Sequence, residues 1–160
     1  MGLEEYQKKR NFDKTSEPFL GDSETGENAF VIQEHNASSH HFDFRLAMKE
    51  DFLDSDKPKG AIVLKSWAIP KTVPVVPGEK RLAVMTEDHP VQYLNFEGEI
   101  PKGEYGAGSV KIWDKGDYQV LSQSKNSFKI HLNGKKINGN YALVNAKFTK
   151  ENQWLIFKVD

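Results

Sequence analysis

From Asn28 onward the apolar residues fall in short β-branched or aromatic runs bounded by turn residues, with no sustained helical repeat. Phe30-Val31-Ile32, Phe42 to Leu46, Ala61 to Ile69, Leu82 to Met85 and Val110 to Trp113 have this character. Phe128, Ile130 and Leu132 alternate with Lys129 and His131, the period of a half-buried strand. Tyr141 to Val144 and Trp154 to Val159 complete the series. Asp114-Lys115-Gly116-Asp117 and Asn133-Gly134 read as hairpin turns, because Gly and Asn tolerate the positive φ such turns require. About ten short strands and almost no helix predict an all-β chain, a compact antiparallel barrel.

The helical stretch runs from Leu3 to near Arg10, inside a polar N-terminal arm and linker over residues 1–27. Gly21–Asn28 lacks any apolar residue and reads as a linker, and Glu50–Lys59 as a surface loop. The whole chain, 1–160, is expected to be a single domain with the barrel over 28–160. Apolar residues make up 38% and charged ones 28%, a balance that fits a folded, water-soluble domain. The longest aliphatic run, Ala61–Leu64, is far too short to span a membrane. With no cysteine, disulfide scaffolds, thiol catalysis and thiolate metal sites are all excluded. No charged-then-apolar leader is visible, so the expected compartment is the cytoplasm. Lys and Arg number 22 against 23 Asp and Glu, which excludes a wholly basic nucleic-acid binder but leaves room for a local cationic cleft.

The richest segment is QEHNASSHHFDFRL, Gln33 to Leu46. On a strand, His41, Asp43 and Arg45 share one face while Phe42, Phe44 and Leu46 line the other. Burying those three apolar side chains contributes on the order of 5 kcal/mol and fixes the direction of the polar face. A turn through Asn36–Ser39 would fold His35 back over that face. Two imidazoles and a carboxylate form a mixed nitrogen and oxygen ligand set with open positions, suited to Mn²⁺, with Zn²⁺ or Co²⁺ as substitutes. Arg45 is placed to hold an anion beside the ion, most naturally a phosphate gripped by its forked donors. His40 and His131 read as structural or solvated. Lys71 and Arg81 stand at strand ends, and His89 precedes a proline, which suggests a loop at the barrel mouth. The run Gly98 to Gly108 lacks the Lys-Ser/Thr ending and following helix of a phosphate loop, so it reads as turns and a bulge.

From Tyr6 to Val159 these motifs resemble the 3′-phosphoesterase domain of bacterial ATP-dependent DNA ligase D and its stand-alone relatives. Besides QEHNASSHHFDFRL, the resemblance rests on Lys9-Arg10-Asn11-Phe12, Lys65-Ser66-Trp67-Ala68-Ile69-Pro70-Lys71, KRLAVMTEDHP with Tyr93, FEGEIPKGEYGAG, VKIWDKG and the terminal WLIFKV. It implies a β-barrel with its site on a concave face, and Mn²⁺ held by His35, His41 and Asp43. It further implies that Arg45 contacts the reactive phosphate and that His89 and Tyr93 are catalytic. Arg45 and His89 would neutralise charge developing in the transition state, with Tyr93 orienting His89 or the phosphate. Arg10, Glu17, Gln33, Lys71, Arg81 and Glu87 match positions linked to substrate phosphates or the active-site network, with Arg10, Lys71 and Arg81 expected to grip phosphates. Asn11 stands where the family's R-D-F motif has Asp, and the Glu50–Lys59 loop is longer than the family pattern.

The implied reaction is healing of 3′ ends on primer-template DNA in non-homologous end joining. A terminal ribonucleoside is removed to leave a 3′-phosphate, and that phosphate is then removed to leave a 3′-hydroxyl. The implied partners are a separate ligase, a polymerase and an end-binding protein, with no membrane and a monomeric state. Two other readings stay open. One is a DNA-end-binding module that has lost catalysis. The other is a facial-triad Fe(II) oxygenase built on His41 and Asp43 with His89 or His131 as the distal ligand.

Overall fold

A computed structural model describes residues 3–15, 17–18, 27–147 and 152–160. Most of the expected Gly21–Asn28 linker lies outside the described residues. The helical stretch is a short α1, Glu4–Lys8. The strands are β1 Ala29–Asn36, β2 His40–Lys49, β3 Ile62–Ile69, β4 Lys80–His89, β5 Gly98–Ile100, β6 Gly108–Ser124, β7 Ser127–Gly134, β8 Asn138–Asn145 and β9 Gln153–Lys158.

The strands follow the spatial order β1-β2-β3-β4-β9-β8-β7-β6, every neighbouring pair antiparallel, and β6 returns to pair with β1. Eight strands therefore close into a barrel, which removes the unpaired sheet edges an open array would leave. The short β5 is added alongside the start of β6. Alternation decides what goes inside. Phe30, Ile32, Phe42, Phe44, Leu46, Trp67, Ile69, Phe128, Ile130, Leu132, Tyr141, Leu143, Trp154 and Ile156 belong to one buried cluster drawn from strands all round the barrel. Trp67 packs against Phe44, Phe128 and Trp154 with ring centroids 5.7–6.2 Å apart, the tilted and edge-on spacing aromatic rings prefer.

Three local expectations change. Asp114–Asp117 is not a turn but the middle of the 17-residue β6, paired with β1. Its glycine serves close approach: a Cβ on Gly116 would stand 2.1 Å from the Asn133 carbonyl oxygen. Asn133-Gly134 ends β7, and the turn proper spans 135–137. The Asp114 carboxylate accepts backbone N–H groups from Lys115, Lys135, Lys136 and Ile137 at 2.8–3.0 Å and so holds that turn. Glu87-Asp88-His89 is not a mouth loop but the end of β4, where the register shifts by one residue against β3. Such a bulge re-aims side chains.

A second buried cluster, including Tyr6, Ala47, Leu64, Tyr93, Phe96 and Ile100, lies on the outer face of the barrel wall. Here α1, the 3₁₀ turn Val91–Asn95 and β5 cover the sheet. The concavity that holds the site comes from these covering segments, not from the barrel interior.

Candidate metal centre and active site

The β1–β2 hairpin pairs His35 directly with His41, and their rings stand 4.7 Å apart. Asp43 follows two residues later on the same face. Ligand atoms of His35, His41 and Asp43 all lie within 4.8 Å of one another, the only such group among the described residues. Neither His89 nor His131 joins it, and His131 instead bonds Asn140 at 2.7 Å. The oxygenase ligand set is therefore not assembled. Phe42 and Phe44 point into the core, as the alternation requires.

The proton positions follow from the partners. His35 Nε2 stands 2.7 Å from the Gly106 carbonyl and His41 Nδ1 stands 2.9 Å from the Ser39 carbonyl, so both nitrogens donate. The remaining nitrogens, His35 Nδ1 and His41 Nε2, each face an Asp43 oxygen at 3.2 Å. Neutral imidazoles would aim lone pairs at a carboxylate, an arrangement that calls for a positive charge shared among the three. Either a proton or a cation supplies it. Burial works against a charged His41, but the hydrogen bond and charge of Asp43 raise its pKa above the ordinary value. Burial also opposes the charged form of Asp43, yet Arg45 and the two imidazoles hold its carboxyl well below the usual range. Two nitrogens and one oxygen, with each imidazole oriented by a backbone carbonyl, fit a divalent ion of borderline-to-hard character.

Arg45 is buried beside this cluster. Its Nε donates to Gln33 at 2.6 Å, Nη1 donates to Ser66 Oγ at 2.9 Å, and Nη2 lies 3.4 Å from Asp43. Gln33 in turn donates to the carbonyls of Tyr93 and Phe96, and the guanidinium sits 4.7 Å from the centre of the Tyr93 ring. Ser66 faces Arg45 across the β2–β3 pairing; nothing in its immediate sequence marks it as a brace.

The arm builds the other half of the site. Arg10 bonds Glu17 and Glu87, each at 2.9 Å, the Tyr6 carbonyl at 3.3 Å and His89 Nε2 at 3.3 Å. Tyr93 donates its hydroxyl to Glu17 at 2.7 Å, and Thr15 donates to the other Glu17 oxygen at 3.0 Å. Asn11 accepts from the Asp13 N–H at 3.1 Å, a bond an aspartate would make equally well. His89 Nδ1 donates to the Glu87 carbonyl at 2.9 Å, so its Nε2 is the acceptor toward Arg10. Burial, then the charges of Arg45 and Arg10, push the His89 pKa well below its ordinary value. Arg10, expected to grip substrate phosphate, is committed to two carboxylates.

The cavity between the two halves has a volume of about 330 Å³. Arg10 and Arg45 line it, but so do Asp43 and Glu87, so the side chains alone do not make the cationic cleft the sequence suggested. Neither Lys71 nor Arg81 lines this cavity. Lys71 is exposed beyond the end of β3, while Arg81 bonds Thr72 and Glu79. Thr15, Ser66 and the Gly106 carbonyl are the contributors that residue-by-residue reasoning missed. Among the described residues no helix is long and apolar enough to cross a membrane.

The family model for the DNA ligase D 3′-phosphoesterase domain matches residues 33–145. The multifunctional non-homologous end joining protein LigD of Pseudomonas aeruginosa is 40% identical over 98% of this chain and 18% of its own length. The proteins of the same name in Mycolicibacterium smegmatis and Mycobacterium bovis are each 40% identical over 98% of the chain and 20% of theirs. The chain thus spans about a fifth of the length of the curated relatives it matches. Because the family match takes in His35, His41 and Asp43 of the candidate metal centre and well over half of the sequence, the protein belongs to the DNA ligase D 3′-phosphoesterase domain family.

Proposed function

We propose that the protein is a metal-dependent phosphoesterase that heals DNA 3′ ends. It would remove a terminal ribonucleoside from a primer strand, leaving a 3′-phosphate, and then hydrolyse that phosphate to inorganic phosphate and a 3′-hydroxyl. The observation that carries this reading is a buried guanidinium, Arg45, fixed 3.4 Å from the carboxylate of a two-histidine, one-aspartate cluster. A bound divalent ion, Mn²⁺ by preference with Zn²⁺ or Co²⁺ as substitutes, supplies Lewis-acid polarisation of a phosphate oxygen. His35, His41 and Asp43 would hold it. With the charges of the cavity side chains near balance, that added positive charge would strengthen phosphate binding.

Arg45 binds the phosphate and meets the charge that grows on its oxygens. Gln33 and Ser66 hold the fork in place before substrate arrives, the preorganisation that makes such donors effective. His89 remains neutral and takes a hydrogen bond from Arg10, with its ring 4.7 Å from that of Tyr93. Arg10, Glu17 and Glu87 position these rings, and Lys71 and Arg81 would meet more distant phosphates of the strand. We place this activity in the cytoplasm, in a monomer acting alongside a separate ligase, polymerase and end-binding protein in non-homologous end joining.

The test uses primer-templates ending in a 3′-phosphate or a 3′-ribonucleotide, incubated across a panel of divalent ions. Wild-type protein should process both ends. His41→Ala or Asp43→Ala should abolish both reactions and leave the far-ultraviolet circular dichroism spectrum unchanged. Full activity in either variant would remove the cluster from the chemistry.

A further inference from the structure

The turn after β5 places a half-exposed aromatic side chain beside the site. Tyr105 is 47% exposed and belongs to neither buried cluster. It stands between Gly103 and Gly106, whose φ values of +96° and +75° fold the chain tightly around it. The turn is closed by hydrogen bonds from Glu104 N–H to the Pro101 carbonyl and from Ala107 N–H to the Glu104 carbonyl. Its position is tied to the metal cluster by one peptide unit. Gly106, the next residue, accepts the Nε2 proton of His35 at 2.7 Å, so the Cα of Tyr105 is about 3.8 Å from that of the residue orienting a ligand.

The ring is also held. Lys9 Nζ lies 4.6 Å from its centroid and the Arg10 guanidinium lies 5.3 Å away, within cation–π range. Tyr105 lines the site cavity and also a neighbouring groove of about 740 Å³, so it forms part of the ridge between them. A held aromatic surface beside a phosphate site suits a flat, uncharged group attached to that phosphate through a sugar. A nucleobase is such a group, and stacking on an aromatic side chain is indifferent to which base it is.

We infer that Tyr105 is the stacking platform for the terminal nucleobase of the strand whose 3′ end enters the site. This rests on the 3′-end phosphoesterase reading and adds to it a residue that recognises the nucleoside rather than the phosphate. Tyr105 thereby sets which part of the strand end is engaged, and a 3′ end without a base loses that contact.

A direct reporter is a primer-template whose 3′-terminal nucleotide is 2-aminopurine bearing a 3′-phosphate, titrated with protein in a chelating buffer so that no turnover occurs. Wild-type protein should quench the 2-aminopurine fluorescence on binding. Tyr105→Ala should bind about tenfold more weakly and leave the fluorophore unquenched, whereas Tyr105→Phe should match wild type. On a primer with an abasic 3′-phosphate terminus, wild type and Tyr105→Ala should bind equally. Retention of both quenching and affinity by Tyr105→Ala overturns the inference, as does an equal loss on the abasic end. Adding Mn²⁺ to the wild-type complex tests the underlying reading separately. Quenching without any release of phosphate would sink the phosphoesterase and leave the stacking contact standing.

Discussion

Arg45 combines two properties that a lysine could not supply together. Its planar fork reaches Gln33 and Ser66 with separate nitrogens while a third nitrogen stays beside Asp43. Arg45→Lys keeps the charge and loses the fork, so kcat on a 3′-phosphate primer should fall by about a hundredfold. Steady-state kinetics with Mn²⁺ check this, and an unchanged kcat would mean that charge alone suffices. His89 yields a pH prediction. Burial and two neighbouring guanidinium groups depress its pKa, whereas in the unfolded chain it titrates near its ordinary value of 6.5. Below that pH the unfolded state binds more protons than the native state, so the His89 contribution lowers stability as the solution becomes more acidic. Urea unfolding of metal-free protein should show the decline, and His89→Gln should make it shallower. A variant curve parallel to wild type from neutral pH downward would contradict the buried, neutral imidazole.

The β1–β2 hairpin was the most legible element, and the reason is physical. Phe42, Phe44 and Leu46 alternate with His41, Asp43 and Arg45, so burial of one set dictates where the other points. The small residues between His35 and His41 allow the reversal that makes them direct cross-strand partners. Asp114–Asp117 misled because turn composition and a close backbone approach both call for glycine, and only the fold reveals which applies. Glu87-Asp88-His89 looked like a loop because the residue before a proline takes an extended or turn conformation, and the end of a strand meets that preference equally well. In the structure Glu87 meets Arg10, Asp88 meets Lys65 at 3.1 Å, and all three residues are buried. Asp114 gives this scale its test. Four backbone N–H groups converge on one buried carboxylate, and Asp114→Ala would strand them. The expected cost is about 3 kcal/mol in urea unfolding, since hydrogen bonds to a charged acceptor exceed the ordinary contribution. A loss below about 0.5 kcal/mol would mean that the turn between β7 and β8 holds its shape without this carboxylate.

At the scale of the whole molecule the site has two origins. The candidate metal cluster comes from one hairpin, with its outermost members, His35 and Asp43, only eight positions apart. The Arg10, Glu17, Glu87 and Tyr93 network joins positions 76 and 77 residues apart. Separations of that kind carry no local periodicity, which is why the network was visible only through family resemblance, whereas the hairpin could be read from its own residues. Arg10→Ala would leave Glu17 and Glu87 buried without their shared cation, at a cost of about 3–5 kcal/mol in denaturant unfolding. Calorimetric titration of the folded variant with Mn²⁺ should nevertheless give wild-type affinity, because the hairpin assembles its ligands without the arm. Lost metal binding would show that the two halves form only together. Their separateness has a practical meaning for the cell. On the proposed reading, ion loading and readiness for work would be independent checkpoints, and a loaded barrel whose leading strap came undone would be an idle phosphoesterase.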